Sequence, residues 1–237
     1  MCIPSVNGTT GIDTQYSLAD HVYACRFSQT TVLLDLKRNR YFGVDTSALD
    51  AVQALTRRVS GRTQIAAWLA SGLLQPHLHA QRPFAPQSID LRAPLMSIED
   101  FNGDSSGLRP RDVARFIGSC MSVRHALRSQ TLYQIARGLQ AERKRRAVTV
   151  RDTPMEQLSA AVHRFRQLRP FAFAAHDQCL FHALALTHLL TAQRLSATWV
   201  IGVRLHPWGA HSWVQQGSLL LDATPEAVRE FTPIIAV

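Results

Sequence analysis

Cys179-Leu180-Phe181-His182-Ala183-Leu184-Ala185-Leu186 reads as the start of an apolar helix headed by a thiol. Downstream, Ala210-His211-Ser212-Trp213-Val214 alternates like a strand, and Leu219-Leu220-Leu221-Asp222 is a short apolar run ending on a carboxylate. A helix N-terminus lowers a thiol's pKa, an imidazole on a neighbouring strand can take the proton, and a carboxylate on the next strand can hold the ring. Cys179, His211 and Asp222, in that order, make the chain a candidate cysteine hydrolase. Each residue also has a plainer reading. A lone cysteine among apolar neighbours packs as a small hydrophobe, and a histidine or aspartate at a strand end satisfies itself in a turn.

The surrounding pattern supplies the elements. The helix headed by Cys179 is expected to run to about residue 194. Strands follow over residues 198–205, 211–215 and 218–222, with Pro207-Trp208-Gly209 turning the first back into the second. Upstream, Thr153-Pro154-Met155-Glu156 combines a cap, a helix-compatible proline and a capping-box acid. The helix it opens carries Leu158, Ala161, Val162, Phe165 and Leu168, and Arg169-Pro170 is expected to end it. Pro110 suits the first position of another helix. Phe116, Ile117, Cys120, Leu127, Leu132, Ile135 and Leu139 predict one or two amphipathic helices over residues 113–139.

The N-terminal third has its own pattern. Residues 21–27, 31–36 and 41–44 are β-rich, with Lys37-Arg38-Asn39-Arg40 as a polar turn. Thr46 or Ser47 can cap a helix to about residue 58 that carries Leu49, Val52 and Leu55 on one face. Residues 63–73, with Ile65, Trp68 and Leu69, read as a second helix. Three strands plus helices make a small α+β unit of winged-helix type. Residues 76–109 are broken throughout by Pro83, Pro86, Pro94, Gly103 and Gly107 and read as a connection.

At 237 residues the chain can bury one large core or two small ones. No apolar run approaches the ~18 residues of a membrane helix. Residues 1–20 are polar, with no basic start followed by an apolar stretch, so no secretory signal is expected. Cys2, Cys25, Cys120 and Cys179 are scattered, without a CxxC pair, and no disulfide framework is expected of what reads as a cytoplasmic protein. The net charge of +9 raises the question of nucleic acid. Only Lys37 and Lys144 are lysines, however, and an arginine skew with abundant alanine also follows from genome base composition. The dense run Arg143-Lys144-Arg145-Arg146 reads as a solvated helix end. Neither a nucleic-acid nor a membrane partner is expected.

Three blocks in the last third, Cys179-Leu180 with Ala183-Leu184-Ala185-Leu186, Val200-Ile201-Gly202-Val203-Arg204, and Ala210-His211-Ser212-Trp213-Val214, resemble the lasso-peptide B proteins. These are leader peptidases of systems such as those of microcin J25 and capistruin, and their fold resembles transglutaminases. The likeness runs from about residue 171 to the end. Val32-Leu33-Leu34-Asp35-Leu36 with Arg40-Tyr41-Phe42-Gly43 resembles the PqqD-like precursor-recognition domain fused ahead of many such peptidases. The resemblance implies an α+β chain in two parts: a winged-helix-like recognition domain over 1–85, a linker over 86–109, and a papain/transglutaminase-like cysteine peptidase domain over 110–237.

The resemblance further implies that an extended leader adds as a strand beside residues 40–44. Arg40, Tyr41, Phe42 and Val44 then become substrate-binding residues. Tyr41 and Phe42 point to opposite faces of such a strand, so one is expected to touch the leader and the other the core. Cleavage is implied after a leader end with threonine next to last, and the implied partners are the lasso precursor and an asparagine-synthetase-like cyclase. No cofactor is expected. Main-chain N–H groups at the start of the Cys179 helix suit an oxyanion, and Gln178 can add a side-chain donor. Relatives carry arginine where this chain has His182. His176, Cys179 and His182 therefore admit a zinc reading, set aside for lack of a fourth ligand; Asp177 reads as a helix cap. Two rivals stay open: acyl transfer to an amine by the same triad, and a winged-helix DNA binder with an idle C-terminal half.

Overall fold

The computed structural model describes residues 16–54, 62–76, 84, 89, 91, 95–98, 107–146, 153–172 and 179–237. Alternation in the N-terminal third produces β2 (Val22–Arg26), β3 (Thr30–Asp35) and β4 (Arg40–Asp45), an antiparallel sheet in the order β2-β3-β4. The turn into β4 is set by Asp35. Its buried carboxylate accepts the N–H groups of Lys37 and Arg38 and the Arg38 guanidinium, while Asn39 takes the left-handed conformation at φ 51°. Helices α1 (Thr46–Ala54) and α2 (Arg62–Ala70) follow. The cap of α1 is Asp45 rather than Thr46 or Ser47: its carboxylate accepts from the Ser47 N–H at 2.8 Å and from the Ser47 hydroxyl. Thr46 instead pairs its hydroxyl with Thr31 at 3.0 Å. A pairing not anticipated from the sequence, β1 (Tyr16–Leu18) against β5 (Leu74–Pro76), closes the unit. Three-residue strands are too short to show a period.

Period two divides this sheet between two cores. Leu33, with Phe42 and Val44 packed nearby, joins Leu18, Val22, Leu49, Trp68 and Leu73 in a small cluster under the helices. Tyr23, Cys25, Val32 and Leu34 face the other way and belong to the large core of the C-terminal half.

That half is built on α6 (Cys179–Ala192), buried along most of its length from His182 to Thr191. A helix apolar on every side cannot lie on a surface, so its neighbours surround it. Packed around it are α3 (Pro110–Ser129), α4 (Leu132–Arg145), α5 (Met155–Ala172) and one face of a five-stranded sheet. Pro110 stands at the first position of α3 as expected. Pro170 does not end α5, which continues to Ala172. Lacking an N–H, Pro170 removes one main-chain bond from the last turn, and the helix persists for only two residues beyond it.

The sheet order is β10-β7-β8-β9-β6. It contains the expected hairpin, β7 (Thr198–Arg204) and β8 (Gly209–Gln216), and β9 (Leu219–Leu220). Two strands are additional. β10 (Thr232–Ala236) flanks β7 after the short α7 (Pro225–Arg229), and β6 (Met96–Ser97) runs parallel to β9. The stretch read as a mere connection is therefore partly built in. Leu95 and Ile98 are also buried, and the N–H of buried Phe84 bonds to the Tyr23 hydroxyl.

The two halves share a core. The Tyr133 N–H donates to the Leu36 carbonyl, its hydroxyl donates to Asp20 at 2.6 Å, and the Cys25 thiol bonds to Thr232 at the start of β10. Among the described residues no helix is long and apolar enough to cross a membrane.

Candidate active site

Cys179 is the first residue of α6 and is partly exposed. The other described cysteines differ. Burial pushes the thiols of Cys25 and Cys120 up to about 11, so both stay protonated at neutral pH. Gln178, Asp177 and His176 lie outside the described residues. His182 is buried one turn into α6, and burial, helped by the Arg169 charge, lowers its pKa to about 4. It is a neutral core histidine. Among the described residues no group of three or more His, Cys, Asp or Glu side chains gathers.

The β7–β8 register decides where His211 points. Trp199, Ile201 and Val203 pair with Val214, Ser212 and Ala210 and face the core that holds α6. Val200 and Gly202 pair with Trp213 and His211 on the other face. There the His211 ring stacks on Trp213 at 6.0 Å and leans on Phe231 at 5.3 Å. Gly202, opposite His211, must be glycine: a Cβ would come within 2.7 Å of the Trp213 ring and 2.9 Å of Phe231. Burial among these groups lowers the pKa of His211, which leaves the imidazole neutral and able to accept a proton at pH 7.

Asp222 is tied to the strand rather than to the ring. Its carboxylate accepts the Val214 N–H at 2.7 Å, while the Leu221 N–H donates back to the Val214 carbonyl at 2.9 Å. The residue keeps some exposed surface, yet desolvation of its carboxyl pushes the pKa up to about 7, against the opposing pull of Val214, Arg166 and Arg169. Among the described residues no hydrogen bond joins Cys179, His211 and Asp222 to one another. The relay in which Asp222 holds the imidazole is thus not formed. Alternation places His211 on the Trp213 face, and the Val214 N–H bonds to one oxygen of the Asp222 carboxyl.

The raised pKa of Asp222 has a measurable consequence. The folded protein holds this proton up to about pH 7, whereas the unfolded chain releases it near 3.8. Stability from this group is therefore greatest below the unfolded value and is lost as pH rises through about 7, up to roughly 4 kcal/mol. Asp222→Asn keeps an oxygen for Val214 and removes the charge. Its melting temperature is expected to exceed that of the parent by several degrees at pH 8 and to match it near pH 4. A difference between the two chains that does not change across that range would refute the buried-carboxyl account.

The candidate leader-binding strand meets the β7–β8 turn through Tyr41. Arg40 is exposed, while Phe42 and Val44 pack on the small core. Tyr41 faces the other way, against the large core, and meets Trp208 of the β7–β8 turn edge-on at 5.6 Å. The expected split, one aromatic outward and one inward, is not what forms: each packs against a different core. Tyr41 and Cys179 also interact electrostatically. The part played by Trp208, read only as a turn residue, was not legible from local pattern. Among the described residues β4 pairs with β3 alone, so its second edge is open.

The basic run is largely committed internally. Arg143 donates to the Ala197 carbonyl, and Arg145 and Arg146 both bond to Glu142.

Cys179 thus heads a buried helix that packs on a mostly antiparallel sheet. Residues 119–236 match the family model of the transglutaminase-like superfamily, so the chain carries a transglutaminase-like domain from within α3 to the end of β10. A stretch of 60 residues is 36% identical to the microcin J25-processing protein McjB of Escherichia coli. That match covers 25% of this chain and 28% of the curated relative. No solved structure matches.

Proposed function

We propose that this protein is a cysteine peptidase that binds the precursor of a ribosomally made lasso peptide and removes its leader. The observation that carries this reading is Cys179 at the head of the buried helix α6, inside the transglutaminase-like match. The partial likeness to a microcin-processing protein directs it toward peptide maturation.

In the proposed reaction the Cys179 thiol gives its proton to His211, and the thiolate attacks the scissile carbonyl. His211 then protonates the departing amine, and water releases the acyl-enzyme. The chemistry requires the imidazole to reach Sγ, so substrate binding must draw the His211 ring from its stack on Trp213 and Phe231. Catalytic contacts commonly tighten only in the substrate complex. An ionised Asp222 would stabilise the imidazolium, which places the favourable pH above its value of about 7.

Recognition belongs, in this proposal, to a PqqD-like domain over residues 1–85, with 110–237 as the peptidase domain. The leader adds as a strand to the open edge of β4, along Arg40, Tyr41, Phe42 and Val44, where main-chain bonds supply affinity. The released core would pass to an asparagine-synthetase-like cyclase.

The test is incubation of the full chain with a precursor peptide and an added amine, followed by mass spectrometry. Free leader and core are expected. An amide formed with the added amine in place of the hydrolysed product would instead assign acyl transfer, which the transglutaminase-like match keeps in view.

A further inference from the structure

A cleft of about 290 Å³ opens between α3, α4 and α6, toward the end of α6 that lies away from Cys179. His188, which lines it, stands about 14 Å along the helix axis from Cys179. Val123 and Ala126 of α3, Ile135 and Leu139 of α4, and Leu184 of α6 form its apolar walls. An apolar cavity of about 150 Å³ suffices for benzene, so this cleft has room for a ring and its substituents.

Gly138 widens the cleft. It lies inside α4, where glycine is disfavoured, yet its backbone is not left-handed and nothing stands within 4 Å of the place a Cβ would take. Packing within the described residues gives no reason for a glycine there, whereas close approach of a ligand to the helix does. The polar groups differ in how far they are committed. At the rim, Arg146 donates to Glu142 and to the Ala192 carbonyl, so these charges are satisfied within the protein. His188 engages only its Nδ1, with the Ser119 hydroxyl at 3.3 Å; among the described residues its Nε2 has no hydrogen-bond partner. Burial lowers the pKa of this imidazole, which is therefore neutral at pH 7.

We propose that this cleft binds a small, uncharged amphiphilic molecule, a ring-sized apolar body carrying one hydroxyl group. The body lies against Val123, Ile135, Leu139 and Leu184, and the hydroxyl bonds to His188 Nε2. A hydroxyl both donates and accepts, so it serves either tautomer of the imidazole. Charged ligands are disfavoured: Glu142 at the rim repels a carboxylate, Arg146 repels an ammonium, and apolar walls would strip either of water. An apolar cleft with a few convergent polar groups is the usual form of a small-molecule site. Binding here is independent of the role of Cys179.

The test titrates the full-length protein with p-cresol, benzoate and benzylamine, read by ligand-observed NMR and calorimetry. We expect p-cresol to bind with a Kd of about 1 mM or tighter, and the two charged probes at least ~10-fold more weakly. Gly138→Leu places a side chain in the cleft and should weaken p-cresol at least ~10-fold. Its melting temperature should not fall, since leucine is the better helix former. His188→Leu keeps an apolar wall and removes the nitrogen; p-cresol should then lose about 5-fold in affinity, the scale of one hydrogen bond, while toluene binds as before. Absence of p-cresol binding at millimolar concentration overturns the proposal, as does binding that Gly138→Leu leaves unchanged. Benzoate or benzylamine bound as tightly as p-cresol overturns the ligand class. N-acetyltyrosinamide bound as tightly as p-cresol would also overturn it, by assigning the cleft to a side chain of a partner protein. Should His188→Leu fold poorly, the Gly138→Leu comparison decides alone.

Discussion

Cys179→Ala is expected to fold like the parent and to leave precursor uncleaved, with turnover reduced to background. The fold tolerates the change because the residue is only partly buried at the first position of α6, and alanine is the best helix former available. The chemistry does not tolerate it, since Cβ carries no lone pair to attack a carbonyl. Removal of a catalytic nucleophile commonly costs several orders of magnitude. Alkylation supplies a control independent of substrate. Among Cys25, Cys120 and Cys179, iodoacetamide at neutral pH should label Cys179 first, because burial holds the other two thiols near 11. Peptide mapping that finds Cys120 or Cys25 labelled ahead of Cys179, or a Cys179→Ala chain that still cleaves, would remove the nucleophile from this assignment.

His211→Ala should cost at least ~100-fold in kcat, the scale of general-base catalysis. His182→Ala should cost far less in turnover and appear instead as lost stability, since His182 is a buried, neutral side chain of the core. The stack on Trp213 and Phe231 makes the test sharper. If His211 only packs the sheet, then His211→Phe should keep the stack and also keep activity. If it is the base, His211→Phe should be as inactive as His211→Ala while melting near the parent temperature. Full activity in His211→Phe would end the proposed role.

The N-terminal sheet carries a practical consequence for any dissection of the chain. Tyr23, Val32 and Leu34 are buried against the C-terminal half, so a fragment of residues 1–85 would expose an apolar face that the whole protein covers. Leader binding is better measured on the full chain with Cys179 replaced.

Local pattern sufficed for much of the fold. Alternation in residues 22–45 located three strands, the all-apolar run after Cys179 announced a buried helix, and Pro110 marked a helix start. It missed what is short or distant. β1, β5 and β6 have two or three residues each, and β10 follows a turn with no strong signal. The end of α5 lies two residues beyond Pro170, because a proline removes one main-chain bond without forbidding helical backbone at the residues that follow.

By itself the sequence determined the order thiol, imidazole, carboxylate and the helix and strand that carry the first two, because side-chain period acts over a few neighbouring residues, whereas Asp222 falls in a bend past the end of β9. It also determined that His211 and Trp213 share a sheet face, being two residues apart on one strand. Only the tertiary structure decided what each face meets. His211 lies on Trp213 and Phe231, Asp222 serves the Val214 N–H, and Tyr41 packs into the large core beside Trp208. Those outcomes depend on which distant surfaces close over each face to bury the most apolar area, and no window of sequence contains both partners.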